Sequence, residues 1–138
     1  MNVIVIDAQG GGVGKQLIEQ LKHALPEQKI TAVGTNALAT AAMLRAGADQ
    51  GATGENAVRV CAAQADLILG PTGLVLCDAM LGEITGEMAL AIGRSPAHKI
   101  LVPMSRCQLT VAGIPHMTAG EAIEAAVQEA VRRITAAK

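Results

Sequence analysis

Residues 3 to 17 read Val-Ile-Val-Ile-Asp-Ala-Gln-Gly-Gly-Gly-Val-Gly-Lys-Gln-Leu, a β-branched run that breaks into glycines and restarts as a helix. Glycine permits a sharp turn and lets a ligand come close to the backbone. The helix start behind it presents unpaired N–H groups and a partial positive charge. Together these suit an anion, usually a phosphate. The expected cradle is Gly10, Gly11, Gly12, Val13, Gly14 and Lys15. Lysine in a first helical turn opposes the helix dipole, and a nearby anion would relieve it. The plainer alternative is a solvated lysine on a tight turn that binds nothing.

Two known loops are close to this one. Gly10 and Gly12 fit the dinucleotide pattern G-x-G-x-x-G, but Lys15 stands where the third glycine belongs. The acidic residue that would hold a ribose at the end of the second strand is replaced by Asn36. A neutral residue there does not repel a 2′-phosphate, so NADP is expected to bind ahead of NAD. Gly14-Lys15 fits the end of G-x-x-x-x-G-K-[ST]. Gln9 replaces that pattern's first glycine, and Gln16 replaces the hydroxyl that holds magnesium. That loss speaks against an ATPase or GTPase and leaves a degenerate P-loop as the lesser reading.

Three further segments carry small polar residues after an apolar run: Gly34-Thr35-Asn36, Gly70-Pro71-Thr72-Gly73 and Pro103-Met104-Ser105-Arg106. In an open α/β sheet such strand ends share one edge, where ligands bind. Thr35 and Asn36 are expected to meet a ribose or its phosphate, with Thr53, Glu55, Asn56, Thr72 and Gly73 lining the rest. Arg106 could grip a phosphate in bidentate fashion, or pair with Asp7 or Glu55 and only hold loops together. Asp7, Glu55 and Glu83 are the carboxylates suited to acid–base work, but no nucleophile is paired with them. Ser95 and Ser105 lack a G-x-S-x-G setting. His23, His98 and His116 are scattered and read as surface residues, so no metal site is expected. The residues name no reaction.

The elements that would position this edge follow from periodicity. Val3 to Ile6 is a buried parallel strand. Val13, Leu17, Ile18, Leu21 and Leu25 recur at helical spacing up to Pro26. Ile30 to Val33 is the second strand. The helix from Ala37 to Ala46 is apolar almost all round, so it is buried on more than one side. Residues 51 to 56 read as a polar loop before a short helix through Ala63. Asp66 to Leu69 gives a third strand, Val75 to Leu81 a helical region, and Thr85 to Gly93 a helix. Lys99 to Val102 reads as a fourth central strand and Leu109 to Val111 as an edge strand. Thr118 and Glu121 fit a capping box, with Ile123, Val127, Ala130 and Ile134 along one face of the last helix. Alternating strands and helices imply one α/β domain over residues 1–138, a doubly wound, mostly parallel sheet of Rossmann-like three-layer form.

Composition narrows the function classes. A net charge of −1 and no Phe, Tyr or Trp argue against nucleic acid, since neither phosphates nor bases find a platform. The longest apolar runs fall far short of the roughly 20 residues that span a membrane, and no signal peptide is visible. Cys61, Cys77 and Cys107 fit neither a disulfide framework nor a zinc pattern, which implies buried reduced thiols in the cytoplasm. The chain is 51% hydrophobic and only 17% charged. A domain this apolar is expected to cover some surface with a second copy of itself, most simply as a two-fold dimer.

Asp7-Ala-Gln-Gly-Gly-Gly-Val-Gly-Lys-Gln-Leu17, Gly34-Thr-Asn-Ala-Leu-Ala-Thr-Ala-Ala-Met-Leu44 and Gly51-Ala-Thr-Gly-Glu-Asn-Ala57 closely resemble a bacterial family known as domain of unknown function 3842. Gly70-Pro71, Met80-Leu-Gly-Glu-Ile-Thr85 and Ser105-Arg-Cys107 are similar to it as well. The resemblance covers nearly the whole chain. It implies a small cytoplasmic protein and brings no catalytic residues with it. The expected function is that of a nucleotide or NADP-type dinucleotide binder, as a small oxidoreductase or sensor. The alternative is an oligomeric scaffold or interaction protein with a degenerate fold that binds nothing.

Overall fold

The computed structural model describes residues 1–104 and 108–138. Five strands form one parallel sheet: β1 (Val3–Asp7), β2 (Ile30–Gly34), β3 (Gln50–Thr53), β4 (Leu67–Pro71) and β5 (His98–Val102). Their order across the sheet is β3-β2-β1-β4-β5. The connecting helices are α1 (Gly12–Ala24), α2 (Ala37–Arg45), α3 (Glu55–Gln64), α4 (Gly86–Arg94) and α5 (Ala119–Ala136).

The pleat of β1 divides the core in two. Val3 and Val5 join Leu17, Ile18, Leu21, Met43, Ile123, Val127 and Ala130, so α1, α2 and α5 cover one face. Ile4 and Ile6 join Val58, Ala62, Ile84, Met88 and Ile92, so α3 and α4 cover the other. With both faces covered, the central strands carry near-continuous apolar runs, which is why they were readable in the sequence. The chain is a Rossmann-like three-layer α/β/α domain. Its last helix starts on the expected capping box: Thr118 Oγ1 accepts from Glu121 N, and the Glu121 carboxylate accepts from Thr118 N.

Four expectations need correction. Residues 50–53, which fall partly in the expected polar loop, pair in parallel with Thr31–Gly34 as β3. Val75–Leu81 is not a helix; a 3-10 turn over Thr72–Val75 is followed by irregular turns. In those turns Asp78, Met80 and Leu81 all take positive φ, which closes off the helical path. The strand at residues 99–102 lies at the sheet's edge, not its centre, because among the described residues β5 pairs with β4 alone. Leu109–Val111 forms no strand and is exposed.

Candidate functional site

The sheet order reverses at β1. The segment after β1 enters α1 on one face, while the chain after β4 goes to α4 on the other. Between the carboxyl ends of these two strands a crevice must open, and such a crevice is where ligands bind in this architecture. A cavity of about 510 Å³ lies there. Asp7 through Val13 and Gln16 form one wall. Pro71, Met80, Leu81 and Met104 contribute others, and Ala119 and Ile123 of α5 close it.

The glycines of the loop do different things. Gly11 sits at φ 75, a left-handed position where other residues are strained, and its N–H donates to Ala8 O at 3.0 Å. Gly14 is buried where α1 crosses α2: a Cβ there would lie 2.5 Å from Met43 Sδ and 3.0 Å from Asp7 Cβ. It therefore does the close-packing job of the third dinucleotide-loop glycine, one position before Lys15. Gly10 and Gly12 have ordinary backbone angles, and a Cβ on either would meet nothing within 4 Å. Neither turn nor packing requires glycine there. Both line the cavity, and neither donates its N–H to an acceptor among the described residues.

One inner donor of α1, the N–H of Gly14, is already taken by the protein itself. Asp7 Oδ2 accepts from Gly14 N at 2.7 Å, and Oδ1 accepts from Ala8 N at 2.8 Å. Asp7 is buried at 4% exposure. That burial pushes its carboxyl above the ordinary carboxylate range, against the pull of the Gly14 and Ala8 N–H groups, and nearby Glu83 adds to the rise.

A second carboxylate sits at the end of β2. Glu83 Oε1 accepts from Gln9 N at 2.7 Å, from Thr35 Oγ1 and from Asn36 Nδ2. Asn36 Nδ2 also donates to Gln9 O at 3.0 Å, and its Oδ1 caps α2 through Ala39 N at 2.9 Å. Burial disfavours the ionised form of Glu83, but the donors from Thr35, Gln9 and Asn36 outweigh it and hold the carboxyl below its usual range.

The expected site residues thus separate. Gly10, Gly11, Gly12 and Val13 line the cavity, with Gly14 buried beneath it, while the Lys15 side chain is exposed and lies outside the lining. Thr35 and Asn36 adjoin it through Glu83 and Gln9. Thr53 bonds to Thr40 at 2.7 Å, and Glu55 accepts from Thr85 Oγ1 at 2.6 Å. Asn56 belongs to a separate groove between α3 and α4. Thr72 is buried, accepting from Met104 N, and Gly73 is buried beside it. Arg106, with Ser105 and Cys107, falls outside the described residues. Gln9, Gln16, Met80, Leu81, Met104, Ala119 and Ile123 were not expected at the site. Gln9 and Gln16 lie in the family-like segment 7–17, Met80 and Leu81 in segment 80–85 and Met104 in the expected strand end at 103–106, whereas nothing in the sequence marked Ala119 and Ile123 as site residues.

Among the described residues, no three His, Cys, Asp or Glu side chains converge to hold a metal ion, and no helix is long and apolar enough to cross a membrane. Cys61 is half-buried, but Cys77 is exposed, contrary to the expectation of buried thiols. Residues 2–135 match the family described as Domain of unknown function (DUF3842), and the chain belongs to it. No curated protein and no solved structure matches it.

Proposed function

We propose that this family member binds a nucleotide, dinucleotide or related phosphorylated small molecule in the switch-point cavity, in the cytoplasm, as a small oxidoreductase or a sensor. The observation that carries this reading is the pair Gly10 and Gly12. They are glycines without a structural reason to be glycine, on the wall of a cavity at the start of a 13-residue helix, and their N–H groups meet no acceptor among the described residues. A phosphate over them would accept those N–H groups and feel the helix dipole. Asp7 takes the inner donor at Gly14, so the phosphate would lie on the outer turn of the loop. The apolar lining from Met80, Leu81, Met104 and Ile123 suits an uncharged ring. Position 16 offers an amide rather than the hydroxyl a P-loop uses for magnesium.

One observation favours the second reading, a ligand-free scaffold. The Asp7 carboxylate already stands at the helix N-terminus, where a phosphate would otherwise sit.

Calorimetric titration with ADP decides between them. The wild type is expected to bind, and Gly12→Val to lose binding by tenfold or more while staying folded, because the side chain would stand where phosphate meets backbone. Lys15→Ala should change affinity by less than about threefold, since its charge acts only through solvent. If neither ADP nor pyrophosphate binds the wild type at millimolar concentration, the phosphate site is wrong and the scaffold reading stands.

A further inference from the structure

The Glu83 carboxylate is held in an unusual way. All three of its donors, from Gln9, Thr35 and Asn36, converge on Oε1. No donor among the described residues reaches Oε2. The side chain is therefore oriented by one oxygen and leaves the other oxygen's lone pairs for something else. Its backbone is fixed as well. Asp78 N donates to Ile84 O at 2.8 Å, Ile84 N donates to Ala79 O at 3.2 Å, and Ile84 is fully buried. The place it occupies is the carboxyl end of β2, beside Gln9, whose next residue begins the proposed phosphate cradle. In this architecture an acidic group at that place accepts the hydroxyls of a ribose. Read along the chain, β2 ends without an acid. In space it has one, delivered from the loop that follows β4.

We propose that Glu83 Oε2 accepts the ribose hydroxyls of the bound nucleotide, so that the site selects ligands with a free 2′-hydroxyl and rejects 2′-phosphorylated ones. The inference rests on the phosphate-site reading and narrows it. It reverses the preference expected from Asn36 alone. A neutral amide there would tolerate a 2′-phosphate, but the amide is spent on holding a carboxylate, and a 2′-phosphate would face that negative charge at close range. A carboxylate–hydroxyl bond is among the stronger hydrogen bonds, and its loss costs tenfold or more in affinity.

The test is a set of titrations on the full chain with NADH, NADPH, ADP and 2′-deoxy-ADP, on the wild type and on Glu83→Gln. Glutamine keeps an oxygen for the three donors and replaces the free oxygen with an amide that cannot accept. The wild type is expected to bind NADH at least tenfold tighter than NADPH, and ADP tighter than 2′-deoxy-ADP. In Glu83→Gln both ratios should fall to within about threefold. Equal affinities in the wild type, or unchanged ratios in a folded Glu83→Gln, overturn the role of Glu83 while ADP binding keeps the phosphate site standing. No binding of any of the four overturns both. If Glu83→Gln does not fold, the wild-type comparison of ADP with 2′-deoxy-ADP decides alone: a tenfold loss supports the proposal, and equality overturns it.

Discussion

Placing the same side chain at two glycines two residues apart should give opposite results. At Gly14 a Cβ would lie 2.5 Å from Met43 Sδ and 3.0 Å from Asp7 Cβ, where carbon contacts are comfortable only at about 3.5–4.0 Å. Met43 is fully buried, so its sulfur has no solvent to move into. Asp7 Cβ is on a central strand and cannot move without carrying the carboxylate off Gly14 N. Gly14→Val adds two more methyl groups to that overlap. Overpacking of this kind costs about 3 kcal/mol. For 138 residues, 1 kcal/mol corresponds to about 3–4 °C in Tm, so Gly14→Val should melt roughly 10 °C below the wild type. At Gly12 the new side chain meets nothing within 4 Å, and Gly12→Val should stay within about 3 °C. The chain has no aromatic residue, so the melts are read by far-ultraviolet circular dichroism at 222 nm rather than by fluorescence. A Gly14→Val variant as stable as the wild type, or a Gly12→Val variant as damaged as Gly14→Val, would refute the division of labour among these glycines.

Two more outcomes are expected. Because burial raises the folded-state pKa of Asp7 above its unfolded value, the folded protein holds that proton more tightly. This contribution is full below the ordinary carboxylate pKa and is lost as pH rises through the raised one. Glu83, Asp49 and Glu121 have lowered values and act the other way, losing stability as pH falls. Urea midpoints across about pH 4–8 should therefore rise more steeply with pH in Asp7→Asn than in the wild type, and parallel profiles would show that Asp7 does not titrate in that range. The second outcome concerns assembly: Leu38 on α2 is 63% exposed and Leu44 is exposed on the same helix. A two-fold dimer is proposed on that face, and light scattering that finds only the 14.0 kDa species at micromolar concentration rejects it.

What the residues disclosed in advance was whatever burial writes into them. β1, β2 and β4 are buried on both faces and read as apolar runs. The face of α5 was legible through Ile123, Val127, Ala130 and Ile134, because a helix with one wet side must alternate. β3 was not legible: Gln50-Gly-Ala-Thr53 is a mostly exposed edge with no apolar pattern to find. The segment after Val75 misled in the opposite way. Leu76, Met80 and Leu81 look like a helix face, but three left-handed residues turn the chain away and leave Leu81 fully exposed. At the site, the loop was identifiable from its glycines, but which glycine turns and which packs depended on Met43 and Ala39 across the helix pair. Glu83 could be noted as a carboxylate but not placed, because its partners Thr35 and Asn36 lie 48 and 47 residues earlier.

The position of β1 in the middle of the sheet also governs when the cavity can exist. Its first neighbour, β2, follows within 30 residues and can pair early. Its other neighbour, β4, begins only at Leu67, and all the pairings are parallel, so none can close through a short hairpin. Long loops must be closed before such contacts reward the chain, which makes this half of the sheet slow to form. Ala119 and Ile123, which complete the cavity wall, come later still. During synthesis the glycine loop therefore leaves the ribosome about a hundred residues before the pocket it serves is finished. On the proposed reading, a ligand that needs the whole wall would bind only chains in which that wall is complete, and by mass action it would hold them there.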